Sequence, residues 1–270
     1  TPVRWIVIGF ERHIGSEHRL LAVAREPAQE TSDIPPDINF RDDIAVELIR
    51  ASASDSDVVD AARVSTQGTS GDGGAMNEGG PGLIRFLMRE RHGSPFEHTS
   101  FTFFVSAPIF VWREHMRHRM ASYNEESGRY RELQPHFYVP NRDRALVQQG
   151  KPGAYTFVAG STEQHLLLEG ELQEACRTAY RAYQSLLQSG IAREVARMCL
   201  PVNTYSTAYV TMNARGLMNF LSLRRSADSS TYPSYPQREI EIVAEQYEEH
   251  FARAMPVTHA AFVEGGRVCP

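Results

Sequence analysis

Three observations on this sequence predict a mixed α/β (α+β) fold with helices around a central sheet. Short β-branched and aromatic runs at 44–49, 101–105 and 204–212 read as strands. Amphipathic stretches between and after them read as helices, with the C-terminal half mostly helical. The 270 residues are 41% apolar, enough for a sizeable core in one large unit or two closely joined ones.

Taken in order, residues 1–42 form an N-terminal extension. A strand-like segment at 4–10 precedes Pro27 and the stretch Thr31-Ser32-Asp33-Ile34-Pro35-Pro36-Asp37, whose prolines exclude a helix interior or a central strand. A short hairpin and linker are predicted there, followed by a main unit over 43–270. That unit opens with the strand at 44–49, and Asp55-Ser56-Asp57 caps a helix through 58–62. Seven glycines lie between Gly68 and Gly82 with neither G-x-x-x-x-G-K-[ST] nor G-x-G-x-x-G, so a mobile surface loop is predicted, and 83–91 is helical.

After the aromatic strand at 101–105, Pro108 opens a helix whose first turn, Ile109-Phe110-Val111-Trp112, is apolar on every side and must be buried. The helix turns polar at Arg113-Glu114-His115, and the four-residue spacing puts Arg113 and Arg117 on one face. Farther on, 171–189 carries Leu172, Cys176, Tyr183 and Leu187 and stops at Gly190, while 237–255 carries Ile240, Val243, Tyr247 and Phe251. Both are core helices. Between them come the strand at 204–212, a short helix at 215–224 and a loop at 226–236 fixed by Pro233 and Pro236.

Charge and cysteine usage narrow the functional classes. A net charge of -5 leaves no broad basic footprint, so no nucleic-acid partner is expected. The longest apolar run, 107–112, is too short to span a bilayer, and the N-terminus lacks a small-residue cleavage site, so neither a membrane span nor an export signal is expected. Cys176, Cys199 and Cys269 are odd in number and lack C-x-x-C spacing, which argues against a disulfide framework and a thiolate zinc site and points to a reducing cytoplasm.

The segment Arg117-His118-Arg119-Met120-Ala121-Ser122-Tyr123-Asn124-Glu125-Glu126-Ser127-Gly128-Arg129-Tyr130 is built to hold an anion. Guanidinium forks match phosphate oxygens, and Ser, Asn and Gly backbone N–H groups complete the cradle. Glu125 and Glu126 suit the other parts of a nucleotide, since carboxylates accept from ribose hydroxyls and ring N–H groups. His98, at the start of the aromatic strand, reads as a partner for backbone groups. His115 and His118 have a metal-compatible spacing but no H-E-x-x-H pattern, and the surrounding arginines repel a dication, so no metal is predicted. Apolar neighbours make Cys199 a structural thiol rather than a nucleophile. Arg193, Arg197, Arg215, Arg224 and Arg225 would ordinarily be solvated charges. Two contexts speak for more: Arg197 sits just before Cys199-Leu200-Pro201, and Arg215 and Arg224 bracket an apolar helix.

Arg117-His118-Arg119, Ser122, Asn124-Glu125, Ser127 and Arg129-Tyr130 together resemble the long, specific signature of the flavin-dependent thymidylate synthases. Ala61-Ala62-Arg63-Val64-Ser65, Pro95-Phe96-Glu97-His98, Arg193-Glu194-Val195-Ala196-Arg197 and the segment Asn213-Ala214-Arg215-Gly216-Leu217-Met218-Asn219-Phe220-Leu221 look like further segments of that family, in the same order. The likeness runs from about residue 43 to residue 270.

The resemblance implies α/β protomers in a homotetramer, with active sites assembled from several subunits and FAD bound without Rossmann glycines. It implies reductive methylation at C5 of a uracil nucleotide, with methylenetetrahydrofolate as carbon donor, flavin as hydride source and NADPH as reductant of the flavin. Ser65, Thr99, Arg117, His118, Arg119, Asn124, Asn213, Arg215 and Asn219 match positions near the flavin. Glu114, Glu125, Ser127, Gly128, Arg129, Arg197 and Arg224 match positions at the nucleotide, and His98 and Tyr130 match positions near the folate. The catalytic candidates are Arg224, Arg129 and Ser127, with Arg224 stabilising negative charge that develops in the ring. Many family members carry a His shortly after the position of Arg224, whereas this chain reads Arg224-Arg225-Ser226-Ala227-Asp228-Ser229-Ser230. That departure and the unmatched extension predict a specialised member with appreciable activity on UMP as well as dUMP. The competing expectation, from a different class, is a non-catalytic nucleotide- or RNA-binding protein on the same scaffold.

Overall fold

The computed structural model describes residues 37–68, 79–151 and 154–270. The predicted strand at 4–10, the hairpin and most of the linker, and most of the glycine-rich loop lie outside the described residues. From Ile38 onward the chain clusters as one unit. Its first strand, β1 (Asn39–Arg41), which falls within the 1–42 extension, pairs in parallel with β5 (His136–Tyr138).

β2 (Ala45–Ser52) leads to α1 (Asp55–Gln67), and a capping box fixes the turn between them. Ser54 Oγ accepts from Asp57 N at 3.3 Å, and Asp57 accepts from Ser54 N at 2.7 Å. The cap is therefore Ser54, not the acidic residues that follow it. Then come α2 (Gly80–Arg89), a 3-10 turn at Ser94–Glu97, β3 (Ser100–Pro108), α3 (Ile109–His115) and β4 (Ala121–Glu125). After β5, the strands β6 (Val147–Lys151) and β7 (Ala154–Val158) form an antiparallel pair of their own.

The C-terminal half holds α4 (Thr162–Gln188), α5 (Arg193–Ala196), β8 (Tyr205–Met212), α6 (Ala214–Arg224), α7 (Arg238–Ala254) and α8 (Pro256–Glu264). α4 begins earlier than the predicted 171, because a Ser161 and Gln164 capping box starts it. The added turns expose Leu166 and Leu167, which blurs their hydrophobic period.

The central sheet runs β2-β3-β8-β4 with every neighbouring pair antiparallel, so the fold is α+β rather than a parallel α/β sheet. Alternation along β3 decides which face is covered. Phe101, Phe103 and Val105 are buried on one face, where Phe103 meets Tyr247 of α7 with ring centroids 4.3 Å apart and Phe101 meets Phe251 at 6.2 Å. The opposite face carries Thr102 beside Thr211 and Phe104 beside Tyr209. A smaller apolar cluster joins Phe137, Cys176, Tyr180, Tyr183 and Ala196.

The helix after Pro108 differs from expectation in two ways. It ends at His115, and Arg117 N and His118 N close a tighter turn by donating to Glu114 O and His115 O at 3.3 and 3.1 Å. Arg113 and Arg117 therefore do not share a helical face. His115, read as part of the polar end, is fully buried because two tyrosine hydroxyls satisfy its ring nitrogens.

Candidate active site

The turn between α3 and β4 brings the arginine segment to the surface while anchoring it from beneath. Tyr123 OH lies 2.9 Å from His118 O and 3.1 Å from His115 O, positioned to donate to these carbonyls. His115 Nδ1 and Nε2 lie 3.2 and 2.9 Å from the Tyr123 and Tyr247 hydroxyls. With the Tyr123 proton on the carbonyls, the consistent assignment is a neutral imidazole donating from Nδ1 and accepting from Tyr247 at Nε2. Burial, then the neighbouring His118 and Arg224 charges, lower the His115 pKa to about 3.

Above this network, Arg224 at the end of α6 meets Glu114 of α3. Arg224 Nη1 donates to Glu114 Oε2 at 2.8 Å, and Nε donates to His118 Nε2 at 3.1 Å. Only an unprotonated Nε2 can accept that bond. Burial and then Arg224 itself lower the His118 pKa to about 4, and the ring packs on Phe220 with centroids 4.6 Å apart. Arg224 and Glu114 form one wall of a cavity of about 610 Å³ whose other walls include Arg144, Tyr155, Phe157 and Tyr235.

A second cavity, of about 420 Å³, is lined by Glu97, Met120, Asn213, Arg215, Gly216 and Asn219, joining the start of α6 to the end of the arginine turn. Asn213 caps α6, its Oδ1 accepting from Gly216 N at 2.8 Å. Arg215 is paired with Glu97. A Cβ on Gly216 would stand 2.8 Å from Met120 O, so the absence of a side chain lets the turn approach the helix.

The third group starts at the last residue of β4. Glu125 Oε1 accepts from Ser206 Oγ at 2.7 Å, and Ser127 Oγ accepts from Arg129 N at 3.3 Å. Arg129 Nε pairs with Glu194 at 2.9 Å, and a Cβ on Gly128 would press on Leu133 and Arg197. Ser127 has no His or carboxylate bonded to its hydroxyl among the described residues, so nothing activates it as a nucleophile. Asn124, His98 and Tyr130 are exposed, and Ser65 on α1 is exposed with its hydroxyl on Ala62 O. No hydrogen bond or ion pair among the described residues joins the Ser127–Arg129 group to Arg224.

The readings of Cys199 and Arg225 resolve directly. Cys199 Sγ faces the Ala196 carbonyl at 3.2 Å, and burial raises its pKa, which disfavours the thiolate. Arg225 is taken up by Glu241, Glu245 and Glu248 of α7. Among the described residues no cluster of His, Cys, Asp and Glu could hold a metal ion, and no helix is long and apolar enough to cross a membrane. Arg144, Tyr155, Phe157 and Tyr235 were not singled out, and no motif marks them, since only the fold brings them to Arg224.

The thymidylate synthase complementing protein family matches residues 47–257. The chain is 57% identical over 245 residues to the flavin-dependent thymidylate synthase of Streptomyces coelicolor, covering 88% of this chain and 100% of that one. This chain belongs to the flavin-dependent thymidylate synthases. A flavin-dependent thymidylate synthase of Tropheryma whipplei is 60% identical over 232 residues, covering 86% of this chain and 97% of its own. Among solved structures, a UMP/dUMP methylase PolB from Streptomyces cacaoi bound with 5-Br UMP superposes at a TM-score of 0.81 and 56% identity, covering 87% of this chain and all of that one. The same methylase bound with 5-Br dUMP gives 0.79 and 55% over 86% and 100%.

A flavin-dependent thymidylate synthase needs cations for the flavin dinucleotide's phosphates, and the residues present suit that group. Arg117 and Arg119 are exposed and their side chains have no ion-pair partner among the described residues, and they share the α3–β4 turn with Met120, which lines the 420 Å³ cavity. The cap at Asn213 and the bond from Ala214 N to Thr99 Oγ1 at 2.9 Å set the start of the helix that carries Arg215 and Asn219.

Proposed function

We propose that this enzyme methylates C5 of a uracil nucleoside 5′-monophosphate, dUMP or UMP, using methylenetetrahydrofolate as carbon donor and NADPH as reductant. The observation that supports this best is the Arg224 guanidinium, held by Glu114 and His118 on the wall of the 610 Å³ cavity. Bound FAD supplies the hydride that completes the methyl group.

The remaining chemistry falls to the chain's own residues. Arg224 directs N–H donors at the uracil carbonyls and stabilises negative charge developing in the ring, which makes C5 nucleophilic without a thiolate adduct at C6. Arg129 and Arg197 meet the phosphate, with Ser127 and the Gly128 backbone as neutral contacts. Tyr130, 80% exposed, offers a ring face to the flat folate, with His98 as the second folate contact. The lack of contact between the Ser127–Arg129 group and Arg224 within one chain supports a site completed across subunits, and we infer a homotetramer acting in the cytoplasm. No observation favours the non-catalytic nucleotide- or RNA-binding alternative.

The test is C5 methylation of UMP and dUMP by the FAD-loaded protein with methylenetetrahydrofolate and NADPH, read as kcat/KM under identical conditions. Turnover of both substrates is expected. Brisk dUMP turnover with none on UMP would reject the specialised reading, and no turnover on either would reject the enzyme reading.

A further inference from the structure

Arg224 is held at three points. Nη1 donates to Glu114 Oε2 at 2.8 Å, Nη2 lies 3.5 Å from Glu114 O, and Nε donates to His118 Nε2 at 3.1 Å. The two Glu114 contacts leave the guanidinium free to tilt about the Glu114 side. The third bond, from Nε, fixes the remaining orientation of the plane.

His118 is itself immobilised from the core. Its carbonyl lies 2.9 Å from Tyr123 OH, and its ring packs on Phe220. Tyr123 is bonded to His115, and His115 to Tyr247, whose ring sits 4.3 Å from Phe103 in the middle of the sheet. A continuous chain thus runs from α7 through the α3–β4 turn to the guanidinium.

We propose that His118 is a positioning residue for uracil recognition: its Nε2 lone pair sets the plane of the Arg224 guanidinium, and the Tyr247-His115-Tyr123 chain holds His118 in register. This rests on Arg224 being the group that meets the uracil ring. It gives His118 a duty separate from any contact with flavin. A ring that merely filled space on Phe220 would not need its nitrogen aimed at Arg224 Nε.

The experiment compares FAD-loaded wild type with His118→Gln, which keeps an acceptor at similar reach, and His118→Leu, which has none. Each is made with Arg224 intact and in an Arg224→Ala background. Three quantities are read: nucleotide Kd by calorimetry (dUMP for every protein, and UMP for wild type), FAD Kd by flavin fluorescence, and the rate of Arg224 modification by phenylglyoxal from peptide masses. Loss of a hydrogen bond to a charged group predicts about a tenfold rise in dUMP Kd for His118→Leu, with faster Arg224 modification. His118→Gln should stay within about threefold of wild type. In the Arg224→Ala background His118→Leu should add no further loss of dUMP affinity.

Equal losses in both backgrounds, or Gln as damaging as Leu, or unchanged Arg224 modification, would overturn the proposal. Wild type that binds neither dUMP nor UMP would defeat the functional reading, and Arg224 modification alone then decides the positioning. Should His118→Leu fail to fold, Tyr123→Phe takes its place. Faster Arg224 modification supports the chain, and an unchanged rate overturns it.

Discussion

Thr99 Oγ1 accepts the backbone N–H of Ala214 at 2.9 Å and donates to the Phe96 carbonyl at 3.2 Å. One buried hydroxyl thereby fastens the Ser94–Glu97 turn to the first residue of α6, the helix that carries Arg215, Asn219 and Arg224. Thr99→Val keeps the shape and removes the acceptor, leaving a buried N–H unpaired at a cost of about 1–3 kcal/mol. Thr99→Ser should cost less. Urea denaturation of the three proteins checks this, and a Thr99→Val protein as stable as wild type would refute it.

Asp55 does similar work for α8. Its two carboxylate oxygens accept from Val257 N at 2.9 Å, Thr258 N at 2.8 Å and Thr258 Oγ1 at 2.6 Å, joining the starts of α1 and α8. Asp55→Ala removes a buried charged cap and should lower stability by about 2–4 kcal/mol, with Asp55→Asn intermediate. Thermal melts at fixed protein concentration give the order.

Arg224→Ala should lower turnover by about 10² to 10³, the usual cost of removing one charge-stabilising donor. Cys199→Ala and Cys176→Ala should retain methylation, because burial raises both thiol pKa values and neither thiol is bonded to a general base. A folded, FAD-loaded Cys199→Ala protein without activity would force a return to thiolate chemistry.

Two buried imidazoles make the fold sensitive to acid. Their pKa values fall from an ordinary 6.5 to about 3 for His115 and about 4 for His118. Above pH 6.5 both folded and unfolded chains hold them neutral, so the contribution is complete. Below 6.5 the unfolded chain takes up protons that the folded one refuses, and stability drains away until about pH 4 for His118 and about pH 3 for His115, by an amount on the order of several kcal/mol. Glu248, lowered to about 2 by His259 and Arg267 against the opposing effect of burial, adds a loss from 4.5 downward. Urea unfolding between pH 7 and 4.5 should show the decline, and a flat profile would count against buried neutral histidines.

How much of this was legible depended on whether the signal was local. The buried first turn at 109–112 and the core faces of 237–255 could be read from period and apolarity, because burial of a helix face is written within a few turns. The arginine segment stood out for the same reason. The burial of His115 could not be read, since Tyr247 satisfies it from 132 residues later in the sequence and polarity alone suggested exposure. Nor could Arg144 or Tyr155 be assigned to the cavity beside Arg224, as their approach depends on how the β6–β7 pair folds back. The early start of α4 was locally encoded in Ser161 and Gln164, but Gly170 and the exposed leucines obscured it.

The sheet order also constrains how the molecule is made. β8 lies between β3 and β4, yet it is synthesised after both and after the whole of α4. On the ribosome, β3 and β4 therefore emerge with no strand to fill the gap between them, each presenting unpaired backbone groups along an edge. The long loop closure that inserts β8 is slow compared with helix formation, so nascent chains pass through a state open to wrong pairing. Residues 205–212 are thus the keystone of a vectorial assembly, and chaperone demand should be greatest just before they leave the exit tunnel.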